Sequence, residues 1–150
     1  STGAVLLSIA HTSSEGLESV AYGASTSVIN SGAADTAISI IQPAGTVIID
    51  AGFVVTTATV GSSTNGVKFG TALDGAEICA VGNLTSSNVA AIGSSIQVSS
   101  AAQGQGNASI TFVDDAPLYT ATERTIFSRF EADATITAGV VRPFIRFMRI

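Results

Sequence analysis

An all-β fold, an antiparallel β-sandwich of jelly-roll-like type with roughly eight to ten strands, is what the sequence predicts. Three observations lead there. Hydropathy alternates with a period of two along most of the chain, and the periodic segments are filled with Val, Ile and Thr, which suit a pleated, half-buried surface. Clusters of Gly, Pro, Asn and Asp punctuate those segments at short intervals. The chain has 150 residues and no linker-like stretch, so residues 1–150 are read as one domain large enough for a real core.

The elements follow in order. Val5, Leu7 and Ile9 share one face of a first strand, and Ile38 and Ile40 do the same within Asp35 to Gln42, before Pro43-Ala-Gly45 turns the chain. Thr46 to Val60 reads as a long strand with Val47, Ile49, Phe53 and Val55 on one face and a bulge or bend at Ala51-Gly52. Gly61 to Gly66 ends in Asn-Gly, which tolerates positive φ, so a hairpin to a strand starting at Val67-Lys-Phe69 is expected. Glu77 to Val81 is a short strand. Gly82 to Asn107 turns irregular and rich in Ser, Asn, Ala, Gln and Gly, with one short strand around Ile96 and Val98 and a flexible turn at Gln103 to Asn107. Ile110 and Phe112 define another strand, which Asp114-Asp-Ala-Pro117 ends. Glu123 to Ala134 fits a helical stripe through Ile126, Phe127, Phe130 and Ala134 as well as a strand face through Ile126, Ser128 and Phe130. Strand is favoured, because Thr125, Ile126 and Phe127 prefer a pleated setting and the neighbouring segments are strands. Thr135 to Thr137 is a strand, and Gly139 turns the chain into the last one, Val140 to Ile150.

Composition narrows the function classes. Only 17 residues are charged while 36 are Ser or Thr, so hydroxyls and backbone amides supply most of the polarity. Mean hydropathy is +0.50, yet no apolar run approaches the ~18 residues of a membrane-spanning helix, so the surplus apolar surface is expected in subunit contacts. No membrane association is expected. The net charge of −5 disfavours nucleic acid as a partner. Cys79 is the sole cysteine, which rules out an intrachain disulfide and reads as a buried structural thiol. Ser1 to Ala10 lacks the basic start of a secretory signal, so no targeting segment is expected.

The search for chemistry finds little to hold. His11 is the only histidine, and no serine sits in a strained nucleophile turn, so a Ser/His/Asp triad is not expected. The acids Asp50, Asp74, Glu77, Asp114, Asp115, Glu123, Glu131 and Asp133 lack the alternating spacing of a calcium loop, and Asp in turns explains Asp74 and Asp114-Asp115. Gly104-Gln-Gly106 lacks the flanking strand and helix of a phosphate cradle. Asn83-Leu-Thr85 and Asn107-Ala-Ser109 match glycosylation acceptors, which carry weight only in a secretory context. No enzyme activity, cofactor or metal is expected.

The basic residues are the distinctive feature. Arg124, Arg129, Arg142, Arg146 and Arg149 all fall in the last 27 residues, whereas residues 1–75 hold five acids and only Lys68. Arg142 and Arg146 share a parity on the final strand, with Arg149, Val141, Ile145 and Phe147 on the other. Pro143 lacks a ladder donor, so this strand is expected at or near a sheet edge. Arg142, Arg146, Arg149 and Pro143 are therefore the candidate interface residues.

Three segments together resemble the small structural proteins of tailed bacteriophage particles, the head decoration or cement proteins and related β-rich phage proteins. They are Pro43-Ala-Gly-Thr46 leading into Val-Ile-Ile-Asp50 and Phe53-Val-Val-Thr-Thr57; Val67-Lys-Phe-Gly70 with Asp74-Gly75; and Glu123-Arg-Thr-Ile-Phe127 followed by Ala138-Gly-Val-Val-Arg142 and the terminal strand. The chain departs from the family pattern at its end, where the three arginines replace mostly apolar and neutral residues. The resemblance implies a compact antiparallel jelly roll or sandwich without catalysis, in repeated copies bound to the capsid lattice or projecting from it, with the major capsid protein as partner, the virion surface as location and the host cytoplasm as the place of synthesis. A homo-oligomer, dimer or trimer, is expected as well, because Thr46 to Val60 carries only Asp50 as a charge and needs burial. The alternative expectation is a phage fibre or a bacterial pilus or adhesin-type surface subunit, whose composition looks much the same. A carbohydrate-binding or hydrolytic jelly roll ranks third.

Overall fold

Ten strands run through the residues described by the computed structural model, which are 16–27, 37–60, 65–84, 95–98, 110–131 and 137–150. They are β1 (Glu18–Tyr22), β2 (Thr26–Ser27), β3 (Ala37–Gln42), β4 (Thr46–Val60), β5 (Asn65–Gly70), β6 (Cys79–Leu84), β7 (Ser95–Gln97), β8 (Tyr119–Thr120), β9 (Arg124–Glu131) and β10 (Ala138–Arg149). No α-helix occurs among the described residues. The strands form two antiparallel sheets, one in the order β1-β10-β4-β7, with β2 beside β10 and β8 beside β4, and one in the order β3-β9-β5-β6. The all-β antiparallel sandwich is thus the fold. Val5, Leu7 and Ile9, His11, Gln103 to Asn107, and Thr135 lie outside the described residues.

Period-two burial explains why these segments settle as strands. In β3, Ile40 and Gln42 are buried and Ser39 and Ile41 exposed; in β9, Ile126 and Ser128 are buried. The helical reading of Glu123 to Ala134 loses because β9 pairs with β3 on one side and β5 on the other, so its backbone polar groups find partners without coiling. The two sheets meet through Phe53 of β4 and Phe69 of β5, whose ring centroids are 5.3 Å apart, surrounded by Ile40, Ile48, Val55, Ile126, Val141 and Ile145. Each such fully buried side chain contributes roughly 1.5–3 kcal/mol.

Several expectations change on the structure. No register shift against β10 falls at Ala51-Gly52; the first of three in β4 lies earlier, where Arg146 pairs with Asp50 but Phe147 pairs with Ile48, leaving Ile49 as the extra residue. That residue reverses the parity of burial. Ile48 points into the core before the bulge, and Ala51, Phe53 and Val55 do so after it, so Val47 and Ile49 do not share the face of Phe53. β4 and β5 do not pair with one another as the expected hairpin would have them, since β4 belongs to one sheet and β5 to the other, and residues 61–64 lie outside the described residues. Asn65 and Gly66 lie within β5, opposite Leu84 and Asn83. An Asn-Gly pair reports only local turn preference, whereas the partner of each strand is set by which faces must be buried. Ile110 is fully buried, yet its segment makes only an isolated bridge between Phe112 and Cys79. Gly139 does not end a strand. It lies inside β10, at one of that strand's register shifts against β4, with φ of 139°.

Candidate functional site

The final strand is not an edge. β10 lies between β1 and β2 on one side and β4 on the other, the interior position that its proline argued against. The resolution is local. The carbonyl of Pro143 accepts the N–H of Gly23 at 2.9 Å, and in an antiparallel strand a residue's N and C=O point the same way. The donor that proline lacks therefore faces the break between the end of β1 at Tyr22 and the start of β2 at Thr26.

Across that break, the Gly23 carbonyl would ordinarily accept a ladder N–H from residue 143. Arg142 supplies the donor instead, its Nε–H bonding Gly23 O at 2.9 Å. The same guanidinium lies 4.6 Å from the centroid of the Tyr22 ring, a cation–π distance, and Tyr22 in turn leans on Phe144 at 6.1 Å. Arg142 is thus both an exposed cation and a brace for an interrupted ladder.

The predicted residues divide. Arg142 and Arg146 do share the outward face of the first sheet, while Val141, Ile145 and Phe147 point into the core. Pro143 is buried on the inward side with them and so leaves the candidate surface. It fits there because residue 23 is glycine: a Cβ at Gly23 would come within 2.6 Å of Ile38 Cγ2 and 2.9 Å of Pro143 Cγ. Arg149 has the opposite parity to Arg142 and Arg146, and its Nη1 reaches Ala44 O at 3.4 Å. The end of β10 is held on both sides, by Gly16 N–H to Arg149 O at 2.7 Å and Ile150 N–H to Gly45 O at 3.1 Å.

Arg146 sits 3.6 Å from Asp50 Oδ2. Asp50 is only 1% exposed and stands at the β4 bulge, its Oδ1 accepting the Ala51 N–H at 2.9 Å. Arg146 itself stays partly open to solvent.

β1 completes this surface. Register places Glu18 opposite Met148, Val20 opposite Arg146 and Tyr22 opposite Phe144, so these side chains join the arginines on the outward face. Val20 and Tyr22 are 44% and 48% exposed. The signal was present in the alternation of Glu18-Ser-Val-Ala-Tyr22, but its larger residues face outward, which inverts the usual pattern of a surface strand.

Elsewhere the polar side chains serve the fold. Asp74, at φ of 65°, lies 2.5 Å from Lys68 and also contacts Arg129; its hydrogen bonds to these cations hold its carboxyl below the ordinary value. Glu77 accepts the Thr71 N–H at 2.9 Å. Buried Gln42 donates to Thr46 O and Leu118 O and accepts from Arg124 Nε, tying β3, β4 and β9 at one end. Cys79 is fully buried, and burial, with Asp50 nearby, pushes its thiol up to about 12. Among the described residues no cluster of three or more His, Cys, Asp or Glu side chains is placed to hold a metal ion.

No family model, curated protein or solved structure matches the chain.

Proposed function

We propose that this chain is a structural virion protein, a decoration or cement protein that binds the outer surface of a tailed-phage head and stabilises the shell. The observation that carries the reading is the outward face of the first sheet, where Arg142 and Arg146 stand among Val20, Tyr22 and Met148. Arginine, tyrosine and methionine are among the side chains that protein interfaces favour. The described carboxylates Asp50, Asp74 and Glu77 and the Cys79 thiol have structural roles, which fits a protein that works by contact.

The fold reading is finer than a sandwich. Pairing of β1 with β10, β3 with β9, β4 with β7 and β5 with β6 is nested, as in one long hairpin rolled on itself, and this supports a jelly roll, an architecture used by viral capsid and lectin domains. Fold alone does not assign function, so the surface bears the argument. The partner in this proposal is the major capsid protein, with acidic side chains meeting Arg146 and the outer side of Arg142. A stable contact of this kind would bury about 1,200–2,000 Å² in total.

Mass spectrometry and imaging of purified particles test the proposal. Hundreds of copies on the head support it; a few copies confined to the tail point to a fibre subunit instead. Arg146→Ala and Arg142→Ala both probe the contact, each with its folding stability measured alongside, since Arg142 braces the sheet and Arg146 pairs with the buried Asp50. Reduced occupancy that falls further with salt is expected, and unchanged, salt-insensitive occupancy removes the arginine contact from the proposal.

A further inference from the structure

We infer that the edge of β1 turned away from β10 pairs with the same edge of a second copy of this chain, joining two sandwiches through one continuous sheet. This goes beyond the capsid reading and does not depend on it. β1 ends the first sheet, and no strand among the described residues pairs with its other side. The direction of the open edge follows from bonds already made. Leu17 O and Gly23 N–H bond β10, so the odd residues 17, 19, 21 and 23 face β10 and the N–H and C=O groups of Glu18, Val20 and Tyr22 face outward.

Edge strands that must stay single are usually guarded by lysine, proline, a bulge or an inward charge. The β1 sequence Glu-Ser-Val-Ala-Tyr has neither lysine nor proline, its register against β10 is unbroken, and its side chains at Val20 and Tyr22 are about half exposed.

Register and charge select the occupant. An antiparallel pair about a two-fold axis through Val20 sets Val20 against its own copy and Glu18 against the partner's Tyr22. This register uses all three outward residues on each strand and makes about six hydrogen bonds. It also places Glu18 beside the guanidinium that stacks on the partner's Tyr22 ring, which is that of the partner's Arg142. An acid at one end of the strand thus meets a cation at the other, twice, as an isologous contact requires. The two outward faces then lie on the same side and present Arg142 and Arg146 from both copies.

Light scattering on the full chain at micromolar concentration, combined with three variants, tests this. The wild type is expected as a dimer. Val20→Pro removes a donor that is turned away from β10 and should raise the dimer dissociation constant at least about tenfold. Val20→Cys should give a disulfide-linked dimer under mild oxidation, because residues paired across the axis approach at about 5.5 Å between Cα atoms. Ser19→Cys, which points to the other face and lies off the axis, should not. A monomeric wild type, or a dimer that neither responds to Val20→Pro nor cross-links through Val20→Cys, overturns the inference.

Discussion

Replacing Arg142 with alanine removes the donor that stands in for a missing backbone N–H, and a double-mutant cycle with Pro143 isolates that role. In the native chain, the Arg142 Nε–H bonds Gly23 O and the guanidinium covers Tyr22. A hydrogen bond to a charged group is worth about 1.5–3 kcal/mol and an exposed cation–π contact about 0.5–1 kcal/mol. Because Arg142 is exposed, the lower end applies, and Arg142→Ala should cost about 2 kcal/mol. In a Pro143→Ala background the ladder regains its N–H, which can bond the Gly23 carbonyl directly. Arg142→Ala should then cost only about 1 kcal/mol, leaving a coupling of about 1 kcal/mol between adjacent residues. Equilibrium urea unfolding of the four proteins at one fixed concentration measures it, and the cycle cancels the packing that Pro143 itself loses. If the two costs of removing Arg142 agree within about 0.4 kcal/mol, the guanidinium does not replace the proline's donor and the reasoning fails.

Further perturbations probe other parts of the structure. Gly23→Ala forces a Cβ to within 2.6 Å of Ile38 and should destabilise the protein by about 1–3 kcal/mol in the same assay, and a neutral substitution would refute the close approach of β3 and β10 there. Cys79 should resist iodoacetamide at pH 8 in the folded protein and react on unfolding, since it is buried with its thiol raised to about 12; rapid native labelling would contradict that burial. Asp74→Asn should destabilise at neutral pH. Its folded carboxyl titrates below the ordinary 3.8, so the stabilisation is present above that value and disappears as pH falls through the lower folded value; a stability difference that persists in strong acid would count against the Lys68 and Arg129 bridge.

The candidate surface was half legible in advance. Parity placed Arg142 and Arg146 on one face and Val141, Ile145 and Phe147 on the other, because side chains alternate strictly along an unbulged strand. The same counting failed in β4, where the extra residue at Ile49 moves Ala51, Phe53 and Val55 out of phase with Val47, and no glycine or proline stands at that position to mark it. Pro143 misled for a related reason. Its missing donor is a property of one residue, but whether that loss matters depends on what stands opposite, and here the neighbouring strand is broken at Gly23.

The sequence by itself determined the class of fold and most of its strands, since period-two hydropathy and β-branched side chains act locally and need no knowledge of partners. It also determined that the final strand would carry arginines on one side and core residues on the other. Only the tertiary structure decided that β10 is interior, that β4 and β5 part into different sheets, and that Glu18, Val20 and Tyr22 stand beside the arginines. Those outcomes rest on pairings between segments far apart in the chain, more than a hundred residues apart in the case of β1 and β10. Local preference sets what each segment can become, and the burial of both sheets against one another chooses its neighbours.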